Sequence, residues 1–253
     1  MFYQLPPAGN PVHLSGEAPT HAQLETLFLP YQSRYFASGT TALAAAIAAA
    51  MRLKAVDRPE VVLPAYSCPD LVSAVVYAGA KPVLIDLEQD RPWMDLEQLS
   101  VNTGPSTVAI IAVNLFGIYE RIGQIRPIAR RSGAVLIEDS AQAFPGDEEP
   151  FSWEGDIVVL SFGRGKPVSL LGGGAVLYRE SEIGELLPKV SACPPVGKGQ
   201  RLLFSVKAYI YNRLISPRLY WIPQGLPYLH LGETRYHPLP GIEFMDQARL
   251  AIL

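Results

Sequence analysis

EVVLPAYSCPDLVSAVVYAGAKPVLIDL, residues 60–87, decides the fold class. EVVLP and KPVLIDL are short β-branched runs that read as strands, and SCPDLVSAVVYAG between them, residues 67–79, reads as a helix. A strand that is apolar along its whole length is covered on both faces. Two such strands joined through a helix therefore run parallel in a buried sheet.

The same alternation extends in both directions. Upstream, TTALAAAIAAAMRLKA (40–55) predicts a helix; downstream, STVAIIAV (106–113), AVLIED (134–139), DIVVLSF (156–162) and GGAVLYR (173–179) predict strands. RIGQIRPIARRSG (121–133) predicts a helix with a break at Pro127. From about residue 36 to 190 the expectation is an α/β fold of three αβα layers around a mainly parallel sheet, with right-handed crossovers. Ligands of such sheets bind beyond the carboxyl ends of the strands. That directs attention to Pro64 onward, Asn114, Glu138 with Asp139, and Ser161 onward.

Composition narrows the class. A chain of 253 residues that is 49% hydrophobic can bury a sizeable core. With 21 basic and 24 acidic residues the net charge is −3, and no basic stripe of the kind nucleic-acid binders carry is present, so nucleic acid is not an expected partner. Cys68 and Cys193 are the only cysteines, which excludes a disulfide framework or a metal-ligand cluster of thiols. The N-terminus lacks a basic region followed by an apolar core, and the longest apolar run, Ala42–Met51, is too short for a transmembrane segment. A cytoplasmic protein is expected.

Beyond residue 190 the character changes. Prolines stand at 194, 195, 217, 223, 227, 238 and 240, and aromatics increase, so residues 191–253 read as an extension of one large domain covering 1–253. LLFSVKAYIYNRLISPRLYWI (202–222) interleaves apolar and aromatic residues with Lys207, Arg213 and Arg218. It fits a membrane-surface helix, or a core-facing helix whose basic side chains snorkel to water; the second is the commoner arrangement and the expectation. Pro217 ends or kinks it.

Three motifs carry chemistry. ASGTTALAAAI (37–47) sets Ser38, Gly39, Thr40 and Thr41 at a helix start, which is either an anion site or ordinary N-capping. AVLIEDSAQAF (134–144) puts Asp139 at the end of a buried strand, with Gln142 three residues later and Glu138 as the neighbour that points away. SFGRGKPVSLLGGGA (161–175) supplies Ser161 and Lys166, five apart. A phosphate-binding P-loop would need glycine at 160 and Ser or Thr at 167, where Leu160 and Pro167 stand; a lysine in a glycine-rich turn can also simply face solvent. Together the pieces ask for a ligand with a phosphate near Thr40 and Ser161, a cationic ring atom near Asp139 and an electrophilic carbon near Lys166. Pyridoxal 5'-phosphate meets that description.

The ordered motifs SGTTAL, VVLPAYSCPDLVSAVVYAGAKPVLIDL, AIIAVNLFG, VLIEDSAQAF and GDIVVLSFGRGKPVSLLGGGAVLY resemble the DegT/DnrJ/EryC1/StrS family of PLP-dependent sugar aminotransferases over roughly residues 36–180. The resemblance implies the large domain of the fold type I PLP-dependent transferases. It implies Lys166 as the covalent anchor of the cofactor, Ser161, Thr40 and Thr41 at its phosphate, Asp139 at its ring nitrogen and Gln142 by its ring hydroxyl. It also implies an amino donor such as glutamate or glutamine, a nucleotide-linked keto sugar as acceptor, and a homodimer. Several positions depart from the family. Cys68, with Tyr66 nearby, stands where an aromatic often stacks on the ring; Phe144 and Asn114 replace histidines; Pro167 replaces an asparagine. The small C-terminal domain is not recognisable, and for the partner-contributed asparagine only Asn212 offers the residue type. A PLP-fold protein without transaminase activity, or a nucleotide binder, are the alternative expectations.

Overall fold

A computed structural model describes residues 9–14, 23–24, 27–145, 153–189, 197–229, 231 and 235–253; Cys193 lies outside them. Its centre is a seven-stranded sheet of strands β1 (Gln32–Phe36), β2 (Glu60–Pro64), β3 (Lys81–Ile85), β4 (Thr107–Val113), β5 (Val135–Asp139), β6 (Ile157–Ser161) and β7 (Gly174–Tyr178). The spatial order is β1-β7-β6-β5-β4-β2-β3. β2, β3, β4, β5 and β6 pair in parallel, and β7 is antiparallel to both β6 and β1. The sheet is thus mainly parallel, as the apolar strands predicted. Every residue of β4 is buried, which places it in the middle of the core.

The helices cover both faces. On one side α1 (Gly39–Leu53), α2 (Pro69–Tyr77) and α5 (Ser181–Leu186) pack over Val61, Leu63, Ile111, Ile137, Val159 and Val176. On the other, α3 (Leu96–Asn102) and α4 (Ile122–Ser132) pack over Val62, Ile110 and Leu136. Beside them Phe28, Tyr31, Trp153 and Met245 cover Val158, Leu160 and Leu177. These are alternate residues of each strand, as the two-residue period of a pleated sheet requires. Three αβα layers result.

Three features depart from the sequence expectation. The β1 strand was not apparent, because its side chains are mostly half-exposed and it gains its pairing only from distant β7. Secondly, α4 runs without a break through Pro127. Pro127 and Gly123, the residue four before it, both lie on the exposed side of α4, so the carbonyl that loses its helical donor is open to water.

The third concerns residues 202–222. α6 (Lys198–Leu214) is not core-facing: Ala208 is its only buried residue, while Leu202, Leu203, Val206, Tyr209 and Ile210 are all exposed. A second short helix, α7 (Trp221–Gln224), follows after Pro217, and α8 (Gln247–Leu250) lies within the C-terminal stretch. Among the described residues no helix is long and apolar enough to cross a membrane.

Candidate active site

A cavity of about 550 Å³ opens at the carboxyl ends of the parallel strands, a size in the ordinary range for small-molecule sites. Residues after β2 (Tyr66, Ser67, Cys68), after β4 (Leu115, Phe116), at the end of β5 (Asp139) and at the end of β6 (Ser161) line it, together with Thr40, Gln142 and Lys166. Of the six residues expected at the site, five therefore share one cavity. Thr41 is the exception.

The N-terminus of α1 explains why. Ser38 is the N-cap, and it forms a reciprocal capping box with Thr41: Thr41 N–H donates to Ser38 Oγ at 3.1 Å, and Ser38 N–H donates to Thr41 Oγ1 at 2.9 Å. The Thr41 hydroxyl is therefore spent inside the helix start, and Thr41 is buried rather than lining the cavity. The capping reading of the SGTT motif holds for Ser38 and Thr41, while Gly39 and Thr40 line the cavity. The first intrahelical bond is Ala42 N–H to Ser38 C=O, so the Gly39 and Thr40 N–H groups precede it at the positive end of the helix dipole. Gly39 is required by space, because a Cβ there would lie 2.7 Å from Ser161 Cβ. That close approach brings the α1 terminus and the end of β6 together at one side of the cavity.

Asp70 lines the same cavity, unannounced by the sequence motifs. Thr40 Oγ1 donates to Asp70 Oδ2 at 3.2 Å across two helix starts. Its position directly after Pro69, at the start of α2, was the available signal.

Asp139 forms the floor and is almost fully buried. Burial raises its carboxyl pKa, while the Ala141 N–H donated to Oδ1 at 2.9 Å and the charge of Lys166 oppose the rise. Its neighbour Glu138 points to the opposite face of the sheet, as alternation demands. There it accepts from Asn114 Nδ2 at 3.0 Å and from the Glu154 and Gly155 N–H groups at 2.9 Å each. Glu138 is structural. Asn114 completes the same buried network, bonding Ser140 Oγ at 3.2 Å and accepting from Glu120 N–H at 2.9 Å, and it does not line the cavity.

Lys166 sits in the turn after β6, where its N–H donates to Gly163 C=O at 3.3 Å. Gly165, at φ 76, makes the left-handed step that lets this turn close. The loop is held from outside: Asn10 Nδ2 donates to the Pro167 carbonyl at 2.6 Å, and Gly165 N–H donates to Tyr211 Oη at 3.4 Å. Pro167 thus keeps a carbonyl role that needs no N–H. Asn212 is committed elsewhere, pairing its amide with both backbone groups of Val12 at 2.7 and 2.8 Å, so it does not serve the cavity.

The departures from the family pattern resolve individually. Cys68 does line the cavity; partial desolvation raises its thiol pKa against the opposing pull of the Asp70 N–H and the Lys166 charge. Phe144 packs edge-on against Phe28 and Trp153, at 6.4 and 6.0 Å between centroids. At the cavity mouth Tyr66 and Phe116 pair at 6.3 Å. Phe116 takes φ 57, unusual for a non-glycine residue, and its N–H donates to Gln142 Oε1 at 2.7 Å. Sequence reasoning did not find Phe116, since a left-handed aromatic has no local signature.

The profile of the DegT/DnrJ/EryC1/StrS aminotransferase family matches residues 14–203 of the chain. The protein belongs to this family. Among curated relatives, the UDP-N-acetyl-3-dehydro-alpha-D-glucosamine 3-aminotransferase of Acidithiobacillus ferrooxidans is 33% identical over 150 residues, 58% of this chain and 40% of the relative. The UDP-2-acetamido-2-deoxy-3-oxo-D-glucuronate aminotransferase of Pseudomonas aeruginosa is 29% identical over 52% of this chain and 38% of its own. The alignments thus span about two fifths of these relatives. NtdA of Bacillus subtilis, solved with bound PMP, is similar in structure with a TM-score of 0.54 and 26% identity, over 61% of this chain and 35% of that one. This DegT-family chain therefore shares its sheet and helix layers with solved aminotransferases.

Proposed function

We propose that this chain is a pyridoxal 5'-phosphate-dependent aminotransferase that moves an amino group, from glutamate or glutamine, onto a nucleotide-linked keto sugar. The observation that carries this reading is the convergence of Lys166, Asp139, Ser161, Gln142 and Thr40 on one cavity from three separate segments. The residues fit the cofactor. A buried carboxylate whose pKa is raised by desolvation is relieved by a cationic partner, and the pyridinium nitrogen of the cofactor would supply one to Asp139. The close-packed Gly39–Ser161 contact and the leading N–H groups of α1 suit a phosphate. When bound, the cofactor supplies the electron sink and carries the amino group between the two substrates.

Each residue then has a task. Ser161 Oγ and the Gly39 and Thr40 N–H groups bind phosphate, while Thr41 holds the helix start that presents them. Asp139 keeps the ring nitrogen protonated. Lys166 is the covalent anchor; once released, its amine takes the proton from the amino-bearing carbon of the donor and returns one on the acceptor side. Gln142, fixed by the Phe116 N–H, orients the ring edge. Tyr66 and Phe116 border the mouth through which the substrates enter. Both curated relatives are named for UDP-linked 3-oxo sugars, so a UDP-linked 3-keto amino sugar is the first acceptor to try.

The test uses the purified chain and added cofactor. A visible absorption band is expected that borohydride bleaches, leaving the cofactor fixed to the peptide containing Lys166. Lys166→Ala should abolish the fixed adduct. A colourless protein that takes up no cofactor, or an adduct on another residue, defeats the proposal. Colour without amino transfer from any donor would instead support a cofactor-binding protein that is not a transaminase.

A further inference from the structure

α6 presents its apolar stripe to solvent. At about 100° per residue, Leu202, Leu203, Val206, Tyr209 and Ile210 fall within an arc of roughly 120°. All five are exposed, from 45% for Val206 to 66% for Leu202. The opposite side is the attached one: Ala208 is buried, Tyr211 accepts from Gly165 N–H, Asn212 grips Val12, and Phe204 lies under the Arg249 guanidinium. The orientation of the helix is therefore set by specific contacts, and the outward apolar face follows from it. Exposed aromatics continue beyond Pro217, with Trp221 at 55% and Tyr228 at 68%. An apolar surface of this extent on a soluble-type fold marks an interaction site.

Charge selects the occupant. Between Glu185 and Glu233 the chain holds Lys189, Lys198, Arg201, Lys207, Arg213 and Arg218 and no acidic residue. All six are exposed. The 21 basic residues of the chain less these six leave fifteen against all 24 acidic ones, so the rest of the molecule is strongly anionic. A two-fold self-pairing would set this basic patch against its own copy. An anionic lipid surface attracts the patch, repels the body, and so orients the molecule with α6 down.

We infer that residues 198–229, led by the outward face of α6, dock on an anionic phospholipid bilayer. Leucine, valine and isoleucine enter the headgroup boundary, the basic side chains meet lipid phosphates, and Trp221 and Tyr228 match the interfacial preference of aromatic residues. The Lys166 loop is tied through Tyr211 to the side of α6 opposite the docking face. This inference is independent of the cofactor and of the reaction.

The experiment is flotation of the purified 253-residue chain with vesicles of phosphatidylcholine alone or of phosphatidylcholine and phosphatidylglycerol in equal parts. Co-flotation with the mixed vesicles is expected, weakened roughly tenfold or more on neutral vesicles or in high salt. Leu203→Glu with Ile210→Glu should lose it while keeping the helix content and melting temperature of the parent. Should that variant fail to fold, Lys198→Glu with Lys207→Glu, which changes only exposed charges, should lose it likewise. Absence of flotation with mixed vesicles, or equal flotation on both kinds, overturns the inference. So does a parent that is dimeric without vesicles and is split by the Leu203/Ile210 variant, an outcome that assigns the face to a second copy of the chain.

Discussion

α1 and α6 are the two longest helices among the described residues, both rich in apolar side chains, and they end in opposite environments. Thr41 through Ile47, with Ala49 and Ala50, are all buried in α1, which is wedged between the sheet and helices α2 and α5. α6, two residues longer, buries Ala208 alone. The difference lies in side-chain size and in what stands opposite. Alanines let α1 approach the sheet closely and so acquire neighbours on nearly every side. The bulky stripe of α6 has no sheet to fill, because the face it turns to the body is used by Tyr211 and Asn212 for polar anchoring. Apolar content makes a helix amphipathic; the surroundings decide which side is wet.

Equal chemical changes in the two helices are the sharpest way to break this contrast. Ile47→Ala removes a fully buried side chain and should lower unfolding free energy by about 2–5 kcal/mol in a urea titration. Ile210→Ala, at a side chain 49% exposed, should stay within about 0.5 kcal/mol in the same titration. Similar losses at both sites would mean that α6 is packed after all.

A smaller effect is expected where α1 meets the site. Gly39→Ala forces a Cβ to 2.7 Å from Ser161 Cβ, and should cost roughly 1–3 kcal/mol as overpacking. It should also weaken phosphate-dependent uptake of the cofactor beyond that loss, which comparison of pyridoxal with its phosphate ester would read directly. Equal loss for both forms would remove Gly39 from the phosphate cradle.

The smallest expected change is also the most diagnostic of charge. Asp139 has its pKa raised in the folded state, so its contribution is fully present below the ordinary carboxylate range and is lost as pH rises through the raised value. Asp139→Asn should therefore melt higher than the parent at neutral pH without cofactor, with the gap closing on acidification. Added cofactor should reverse the order at neutral pH, because only the carboxylate gains from a cationic ring nitrogen. A parent and variant with identical pH profiles would show that Asp139 carries no buried charge.

Much of this was legible in the chain itself. Strands that are apolar throughout, helices between them, a Ser-Gly-Thr helix start and an acid at a strand end all follow from short-range pattern, and the residues they single out, Lys166, Asp139, Gln142, Ser161 and Thr40, line one cavity. Pairing, burial and hydrogen-bond allocation did not follow from it, since each depends on groups far away in sequence. Thr41 and Thr40 are adjacent and alike, yet one is consumed by Ser38 and the other turns to Asp70. Phe116 reaches the cavity mouth through a left-handed backbone step, and Asn212 is spent on a segment 200 residues before it. The sequence by itself determined the layers, the strand ends and the chemistry available there. Only the tertiary structure decided which partner each hydroxyl of the SGTT motif takes and that the stripe of α6 looks outward, because those are outcomes of competition among distant partners for limited space and hydrogen bonds.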